Sequence, residues 1–273
     1  LPEATRTRDE LQERLDLANL AQADALVSIH INSPSEGGQR IEIAFSETFY
    51  TDETPWGADA TARLAELVEA GVVDRLDTLA TYERGDRGTT AHNFFLVAPP
   101  LLEETAERPN RWAQPTRGGL MPVVLAEVGS ITLRAEHDLL SSPQGQDSVA
   151  AGLFDGLAAF FGERELAGRI GLADAGPSQP MPVEGDGPMY WPPIAPDGPV
   201  KLRLTNTGTA AWASGMELVA GWQETDQPYL AFAPEELAPI DIGVPALAPG
   251  ESVVLDVTLP SPPAGRGVAW ISL

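Results

Sequence analysis

The stretch ALVSIHINS, residues 25–33, sets the fold class because it is a short and continuous apolar run. Such a run is typical of a strand that is buried on both faces in a parallel sheet covered by helices. His30 then lies at the carboxyl end of this strand, where open α/β sheets place ligands and catalytic groups. His30 is therefore either a functional group or a neutral core residue with one backbone hydrogen bond.

The stretch LMPVVLAEVG, residues 120–129, repeats this pattern, since an apolar run again ends in one ionisable residue, Glu127. An ionised carboxylate in an apolar strand is unfavourable unless it is paired or bound to a metal. Because the carboxyl ends of parallel strands lie at one edge of a sheet, His30 and Glu127 are predicted to face one crevice. A His and a Glu in this arrangement are typical of metal-assisted hydrolysis, with the Glu as general base or ligand.

The residues around these two strands predict an alternation of strands and helices. The alternating segment RIEIAF, 40–45, suits a half-buried strand near a sheet edge, and HNFFLVA, 92–98, suits another strand. Together they predict an α/β domain with a mostly parallel sheet flanked by helices. The helices are predicted at about 8–22, 57–75, 134–141 and 146–162.

The composition changes after residue 165. Residues 166–199 are rich in Pro and Gly and are predicted to form a semi-rigid linker. Residues 200–273 contain short alternating runs between Gly, Pro and Asn turns, which predict a small all-β sandwich. Within them, LTNTGTAAWASGMEL, 204–218, carries an Asn-x-Gly-Thr-x-x-Trp pattern and resembles the Ig-like, next-to-BRCA1 type of sandwich.

The balance of charged residues limits the possible partners. The chain has 17 Lys and Arg against 40 Asp and Glu, a formal net charge of -23, so nucleic acid is not an expected partner. No apolar run approaches the roughly 20 residues that span a bilayer. The sequence has no Cys and three His, so any transition metal must be held by His and carboxylates.

A longer segment around the first strand resembles a known family. TRTRDELQERLDLANLAQADALVSIHINS, 5–33, is similar to zinc-dependent N-acetylmuramoyl-L-alanine amidases of the amidase type 3 family. It shares their Thr-Arg pair, a Leu-x-x-Arg-x-x-x-Ala-Asn helix and a Ser-Ile-His-x-Asn strand. MPVVLAEVGSIT, 121–132, resembles the family's later Pro-x-x-Leu-x-Glu-x-Gly-Phe strand, with Ser130 in place of the aromatic residue. The resemblance covers residues 1–162.

This resemblance implies a peptidoglycan hydrolase with Zn²⁺ as its cofactor. The bond cleaved would be the amide between N-acetylmuramic acid and the L-alanine of the stem peptide. The resemblance also implies that His30 is a zinc ligand and that Glu127 is the catalytic residue. Asn32 and Glu42, which lie near His30 in the sequence, are predicted to contact substrate. An extracytoplasmic location, secreted or associated with the cell wall, follows from the substrate.

Two further zinc-binding residues of the family have no counterpart in these residues. They belong to a Gly-His-Gly-Gly loop and to the start of the helix that follows it. The remaining ligands are therefore expected upstream of residue 1, with 1–165 an N-terminally incomplete catalytic domain that is inactive alone. The alternative is a non-catalytic, wall-binding or regulatory relative. The sandwich at 200–273 is expected to be C-terminally incomplete and to bind a cell-surface or wall component.

Residues 76–119 are longer than a simple connection requires and are predicted to form a substrate-binding insertion or a gate. Four arginines in this stretch either contact carboxylates of the stem peptide or are simply solvated: Arg84, Arg87, Arg111 and Arg117.

Overall fold

The computed structural model describes most of the chain, in two compact units. The first unit is built from residues up to Phe160, and the second mainly from Phe161 onward. In the part of the chain described, no helix is both long and apolar enough to cross a membrane. The residues described are 3–21, 23–53, 59–98, 118–119, 121–165, 168–173, 199–224, 237–261 and 267–272.

The first unit alternates strands and helices. The four predicted helices are all present, although α1 begins earlier than expected, at Glu3. The elements are α1 (Glu3–Leu20), β1 (Leu26–Asn32), β2 (Ser35–Glu36), β3 (Gln39–Arg40), β4 (Phe45–Tyr50), α2 (Asp59–Asp77), β5 (Gly85–Ala91), β6 (Val123–Ser130), α3 (Arg134–Leu140) and α4 (Pro143–Gly162).

Four of these strands form one mixed sheet in the order β1-β6-β4-β5. The pairs β1 with β6 and β4 with β5 are parallel, whereas β4 runs antiparallel to β6. Strands β2 and β3 form a separate hairpin. The α/β architecture with a mostly parallel sheet is therefore confirmed for this unit.

The two faces of the sheet differ in what covers them. Helix α2 packs on one face against β4, β5 and β6, and its Leu64, Val68 and Val72 are fully buried. The opposite face carries an apolar cluster that includes Met121 and Leu125, next to the partly buried Ala18 of α1. Beyond this cluster, toward the carboxyl ends of β1 and β6, the opposite face becomes polar.

The strand predicted at 40–45 is wrong. Residues 41–44 form an irregular connection, and β4 begins at Phe45 and lies inside the sheet rather than near its edge. Strand β4 is hard to recognise from the sequence, because its polar residues are buried and form hydrogen bonds inside the protein. Ser46 Oγ donates to the Val128 carbonyl at 3.1 Å, and Thr48 Oγ1 donates to a carboxylate oxygen of Glu69 at 2.7 Å.

The strand predicted at 92–98 is also wrong. The strand of this region is β5, whose sequence GDRGTTA is polar and contains two glycines, a composition typical of a turn. The apolar residues that follow form a turn instead, in which the amides of Val97 and Ala98 both donate to the carbonyl of Phe94. Val97 is nevertheless buried, so its side chain serves the core without belonging to the sheet.

The second unit is rich in β-structure, as predicted. Its strands are β7 (Gly168–Leu172), β8 (Val200–Asn206), β9 (Met216–Glu224), β10 (Ala238–Val244), β11 (Ser252–Val257) and β12 (Gly267–Ser272). They form two antiparallel sheets in the orders β10-β9-β12 and β11-β8-β7. One cluster of buried residues draws on both sheets and includes Trp212, which is 2% exposed.

The segment predicted as a linker is partly a strand. Residues 168–172 form β7, which pairs with β8, because Ile170 alternates with small or polar neighbours and packs against the buried cluster. Residues 174–198, which carry most of the prolines, lie outside the described residues. An Ig-like sandwich at 200–273 stays a prediction.

Candidate active site

His30 and Glu127 occupy paired positions on the adjacent parallel strands β1 and β6. Paired residues of neighbouring strands lie about 4.8 Å apart and point to the same face of the sheet. The pair lies near the carboxyl ends of both strands, on the face opposite α2. The structure thus brings the two residues together although they are far apart along the chain.

Glu127 lies in a setting suited to proton transfer. Its side chain is half-buried, and its Oε2 atom is buried without a hydrogen-bond partner among the described residues. Burial raises the pKa of Glu127, and the carboxylate of Glu47 on the neighbouring strand raises it further. A carboxyl group whose pKa is shifted toward neutral can both accept and return a proton. His30 is exposed, so its ring is accessible from solvent.

Glu47 is a site residue that the sequence pattern did not indicate. It pairs with Glu127 across β4 and β6, so the two carboxylates lie side by side on one face. Thr90 Oγ1 donates to Glu47 Oε1 at 2.8 Å, and an Arg87 nitrogen lies 3.8 Å from Oε2. The alternation of Phe45, Glu47 and Phe49 was the available signal, because a strand over these residues places all three on one face.

The two predicted substrate-binding residues have different positions. Asn32 lies two residues beyond His30 on β1, pairs with Ser130, and accepts a hydrogen bond from the Ile131 amide through its carbonyl. It therefore borders the site. Glu42 lies exposed in the irregular segment between β3 and β4, so no sheet register places it beside His30.

The donors at this site fit part of a zinc shell. Imidazole nitrogen is a normal zinc ligand, and His30 supplies one, whereas the orphaned Oε2 of Glu127 beside it is available to accept a proton. A catalytic zinc usually has three protein ligands. Among the described residues, no group of three or more His, Asp or Glu side chains is arranged to hold a metal.

The other histidines lie away from this pair. His92 follows β5, at the edge of the sheet where β6 begins, and it stacks on Phe94 with ring centres 4.2 Å apart. His137 is exposed on α3, where its ring nitrogen lies 3.3 Å from a carboxylate oxygen of Asp138.

The arginines of residues 76–119 separate into distinct groups. The side chain of Arg84 is 1% exposed and pairs with Glu136, which is fully buried, on the α2 side of the sheet. Arg84 therefore forms a buried ion pair in the interior of the protein. Arg87 lies on the face that carries Glu127. Arg111 and Arg117 lie outside the described residues.

Comparison with known proteins identifies a family for the first unit and two relatives of the chain. A family model described as N-acetylmuramoyl-L-alanine amidase matches residues 3–159, more than half of the chain. The uncharacterized protein YqiI of Bacillus subtilis (strain 168) is 28% identical over 163 residues, covering 59% of this chain and 64% of that protein. The N-acetylmuramoyl-L-alanine amidase LytC of the same strain is 29% identical over 167 residues, covering 59% of this chain and 27% of that protein.

A solved structure is also similar to part of the chain. The N-acetylmuramoyl-L-alanine amidase from Clostridium difficile 630 is 27% identical, with 55% of this chain and 64% of that chain covered and a TM-score of 0.40. The chain spans just under two thirds of YqiI and about a quarter of LytC.

Proposed function

The chain belongs to the N-acetylmuramoyl-L-alanine amidase family, and from this premise we propose that it hydrolyses the amide between N-acetylmuramic acid and L-alanine of the peptidoglycan stem peptide. The observation that carries the proposal is the pairing of His30 with Glu127 on adjacent strands. Zinc is the proposed cofactor, and His30 is proposed as one of its ligands. Peptidoglycan is the proposed partner, and the site of action is proposed to be outside the cytoplasm.

Glu127 is the proposed general base and acid. Its free, buried Oε2 accepts the proton of the attacking water, and the same carboxyl then returns this proton to the leaving amine of L-alanine. The raised pKa of Glu127 favours the second step, because the protonated form persists closer to neutral pH. The chemistry supplied by zinc, when bound, is polarisation of the scissile carbonyl and acidification of a water molecule.

Asn32 is proposed to orient the substrate beside this pair. Its backbone carbonyl is held by the Ile131 amide at 2.9 Å, which fixes the end of β1. The β1–β6 register shifts by one residue between His30 and Asn32, so Asn32 lies beside the pair at an irregular end of the strand. An amide that can donate and accept hydrogen bonds suits the peptide groups of a stem peptide.

The second unit is proposed to be an Ig-like module that binds a cell-surface or wall component. Its two three-stranded sheets and shared core around Trp212 support this proposal. The net charge of -23 gives little attraction to anionic wall polymers. Binding to the wall through this module is therefore expected to depend weakly on salt.

The test uses purified peptidoglycan and the protein expressed from its complete gene. We expect free amino termini of L-alanine to appear, and we expect their release to stop on chelation and in Glu127→Gln. The matched control is Glu66→Gln, an exposed carboxylate on α2 that pairs with Arg63. Undiminished release by Glu127→Gln would refute the assignment of Glu127. Binding of peptidoglycan without any cleavage would instead favour a non-catalytic relative.

A further inference from the structure

Arg87 lies in a bulge that turns its side chain toward the site face. One residue of β4, Glu47, is opposed by two residues of β5, Arg87 and Gly88. Gly88 has a φ of 67°, a left-handed conformation that glycine adopts without steric penalty. Its amide donates to Asp86 Oδ1 at 2.7 Å, which stabilises the turn. Bulges of this kind redirect a side chain and are frequent beside functional sites.

Two contacts hold the guanidinium of Arg87 in place and leave several of its N–H donors available to a ligand. Its Cζ atom lies 3.6 Å from the centre of the Phe45 ring, and Phe45 itself is 1% exposed. The second contact is the ion pair with Glu47, whose 3.8 Å separation is longer than a hydrogen bond. The Arg87 side chain remains 47% exposed. Because a guanidinium has five N–H donors in a planar fork, several donors face solvent.

Arg87 completes a row of charged and polar side chains across the sheet. His30, Glu127, Glu47 and Arg87 come from β1, β6, β4 and β5, and the register places them on one face. Arg87 is two strands away from Glu127, which corresponds to about 10 Å between their backbones. An extended peptide advances about 3.3 Å per residue, so a substrate with its scissile amide at Glu127 reaches Arg87 within about three residues.

Arg87 is a cation beside the site of a strongly acidic protein. With 40 Asp and Glu against 17 Lys and Arg, the protein as a whole repels acidic molecules. Arg87 places a cation beside the two carboxylates of the site, and its exposed donors offer an acidic group a direct partner there. A planar guanidinium that stacks on an aromatic ring is well suited to bidentate binding of a carboxylate.

We propose that Arg87 is a specificity-determining residue that binds a free carboxylate of an acidic stem peptide, within about three residues of the scissile amide. The proposal rests on the proposed function, because it takes Glu127 as the reacting end of the row. The substrate class is therefore a muramoyl peptide with a free acid near its amino end, in preference to the amidated form.

The kinetic test compares two synthetic N-acetylmuramoyl peptides that differ only in whether the carboxyl of the residue after L-alanine is free or amidated. We expect kcat/KM of the unchanged protein to favour the acid by about 10- to 100-fold, the range of a charge-assisted hydrogen bond. In Arg87→Gln this ratio falls to about one. In Arg87→Lys it is intermediate, because an ammonium keeps the charge but loses the bidentate geometry.

The ratio of kcat/KM for the acid to kcat/KM for the amide separates substrate recognition by Arg87 from indirect effects on Glu127. Arg87→Gln also removes the ion-pair partner of Glu47, which changes the rates with both peptides by the same factor and leaves their ratio unaffected. Arg134→Gln is the matched control, since Arg134 is an exposed α3 residue paired with Asp138. A ratio near one in the unchanged protein, or an unchanged ratio in Arg87→Gln, would overturn the proposal.

A binding measurement distinguishes failure of this inference from failure of the proposed function. Calorimetric titration with the same two peptides gives their Kd values without any requirement for hydrolysis. If neither peptide is cleaved, the proposed function fails; tighter binding of the acid that disappears in Arg87→Gln still supports the role of Arg87. Equal Kd values for acid and amide refute that role. Circular dichroism confirms that each variant is folded.

Discussion

Replacing Glu69 with glutamine is expected to remove a pH-dependent loss of stability from the first unit. Glu69 lies on α2, is 4% exposed, and accepts a hydrogen bond of 2.7 Å from Thr48 Oγ1. Burial raises the pKa of Glu69 from 4.5 to about 8, and the nearby charge of Asp86 contributes in the same direction. At neutral pH the folded protein therefore holds a proton on Glu69 that the unfolded chain has released.

The sign and size of the effect follow from proton linkage. Below about pH 4.5 Glu69 is neutral in both states, and it destabilises neither. Between about 4.5 and 8 only the unfolded chain ionises, so the free energy of unfolding falls by up to about 1.4 kcal/mol per pH unit. From pH 5 to pH 8 the loss sums to about 3.5 kcal/mol. Glutamine does not titrate, and its amide oxygen can still accept the Thr48 hydrogen bond.

The assay is urea denaturation of Glu69→Gln and the unchanged protein at pH 5 and pH 8. The helical circular dichroism signal reports the first unit, to which the described helices belong. We expect the stability of Glu69→Gln relative to the unchanged protein to rise by about 3.5 kcal/mol between the two pH values. Glu66→Gln, an exposed neighbour on the same helix, should show no such rise. A constant difference for Glu69→Gln would refute the buried proton.

Two further substitutions test the electrostatics of the two faces of the sheet. Glu47→Gln removes a negative charge beside Glu127 and so lowers its pKa, and we expect the acidic limb of the kcat/KM profile to shift to lower pH. An unshifted limb would contradict this coupling. Arg84→Met leaves the carboxylate of Glu136 buried without its cation, and we expect a loss of about 3–5 kcal/mol in the free energy of unfolding. Unfolding in urea measures this loss, and an unchanged midpoint would contradict it.

Strand β6 is buried, as its apolar run predicted, whereas the burial predicted for β1 on both faces is wrong. Strand β1 lies at the end of the described sheet, and its Ile29 and Ile31 are exposed. Strands β1 and β6 are continuous apolar runs, and their carboxyl ends indicated His30 and Glu127 as a pair. Strands β4 and β5 were misplaced because their polar residues are stabilised by contacts distant in sequence. The buried hydroxyl of Thr48 is satisfied by a hydrogen bond that it donates to Glu69, and no local sequence pattern carries that information.

Only the part of the candidate site that lies on β1 and β6 could be predicted from the sequence. Glu47 and Arg87 lie on the two misplaced strands, so neither was indicated as a neighbour of Glu127. The choice of Glu42 instead reflects a shift of the predicted strand toward the amino end. The bulge at Gly88 could not be derived from a period of two, because it interrupts that period.

Strand β4 shows how one short segment can serve both the core and the site. Ser46 and Thr48 point to the α2 face, where they bond to β6 and to Glu69, while Glu47 between them points to the opposite face beside Glu127. A shift of register by one residue would exchange these sets and place the Glu47 carboxylate against apolar α2 residues. The buried hydroxyls of Ser46 and Thr48 therefore also fix the register that brings Glu47 to the site. This coupling explains why a strand inside the sheet contains residues as polar as those of a loop.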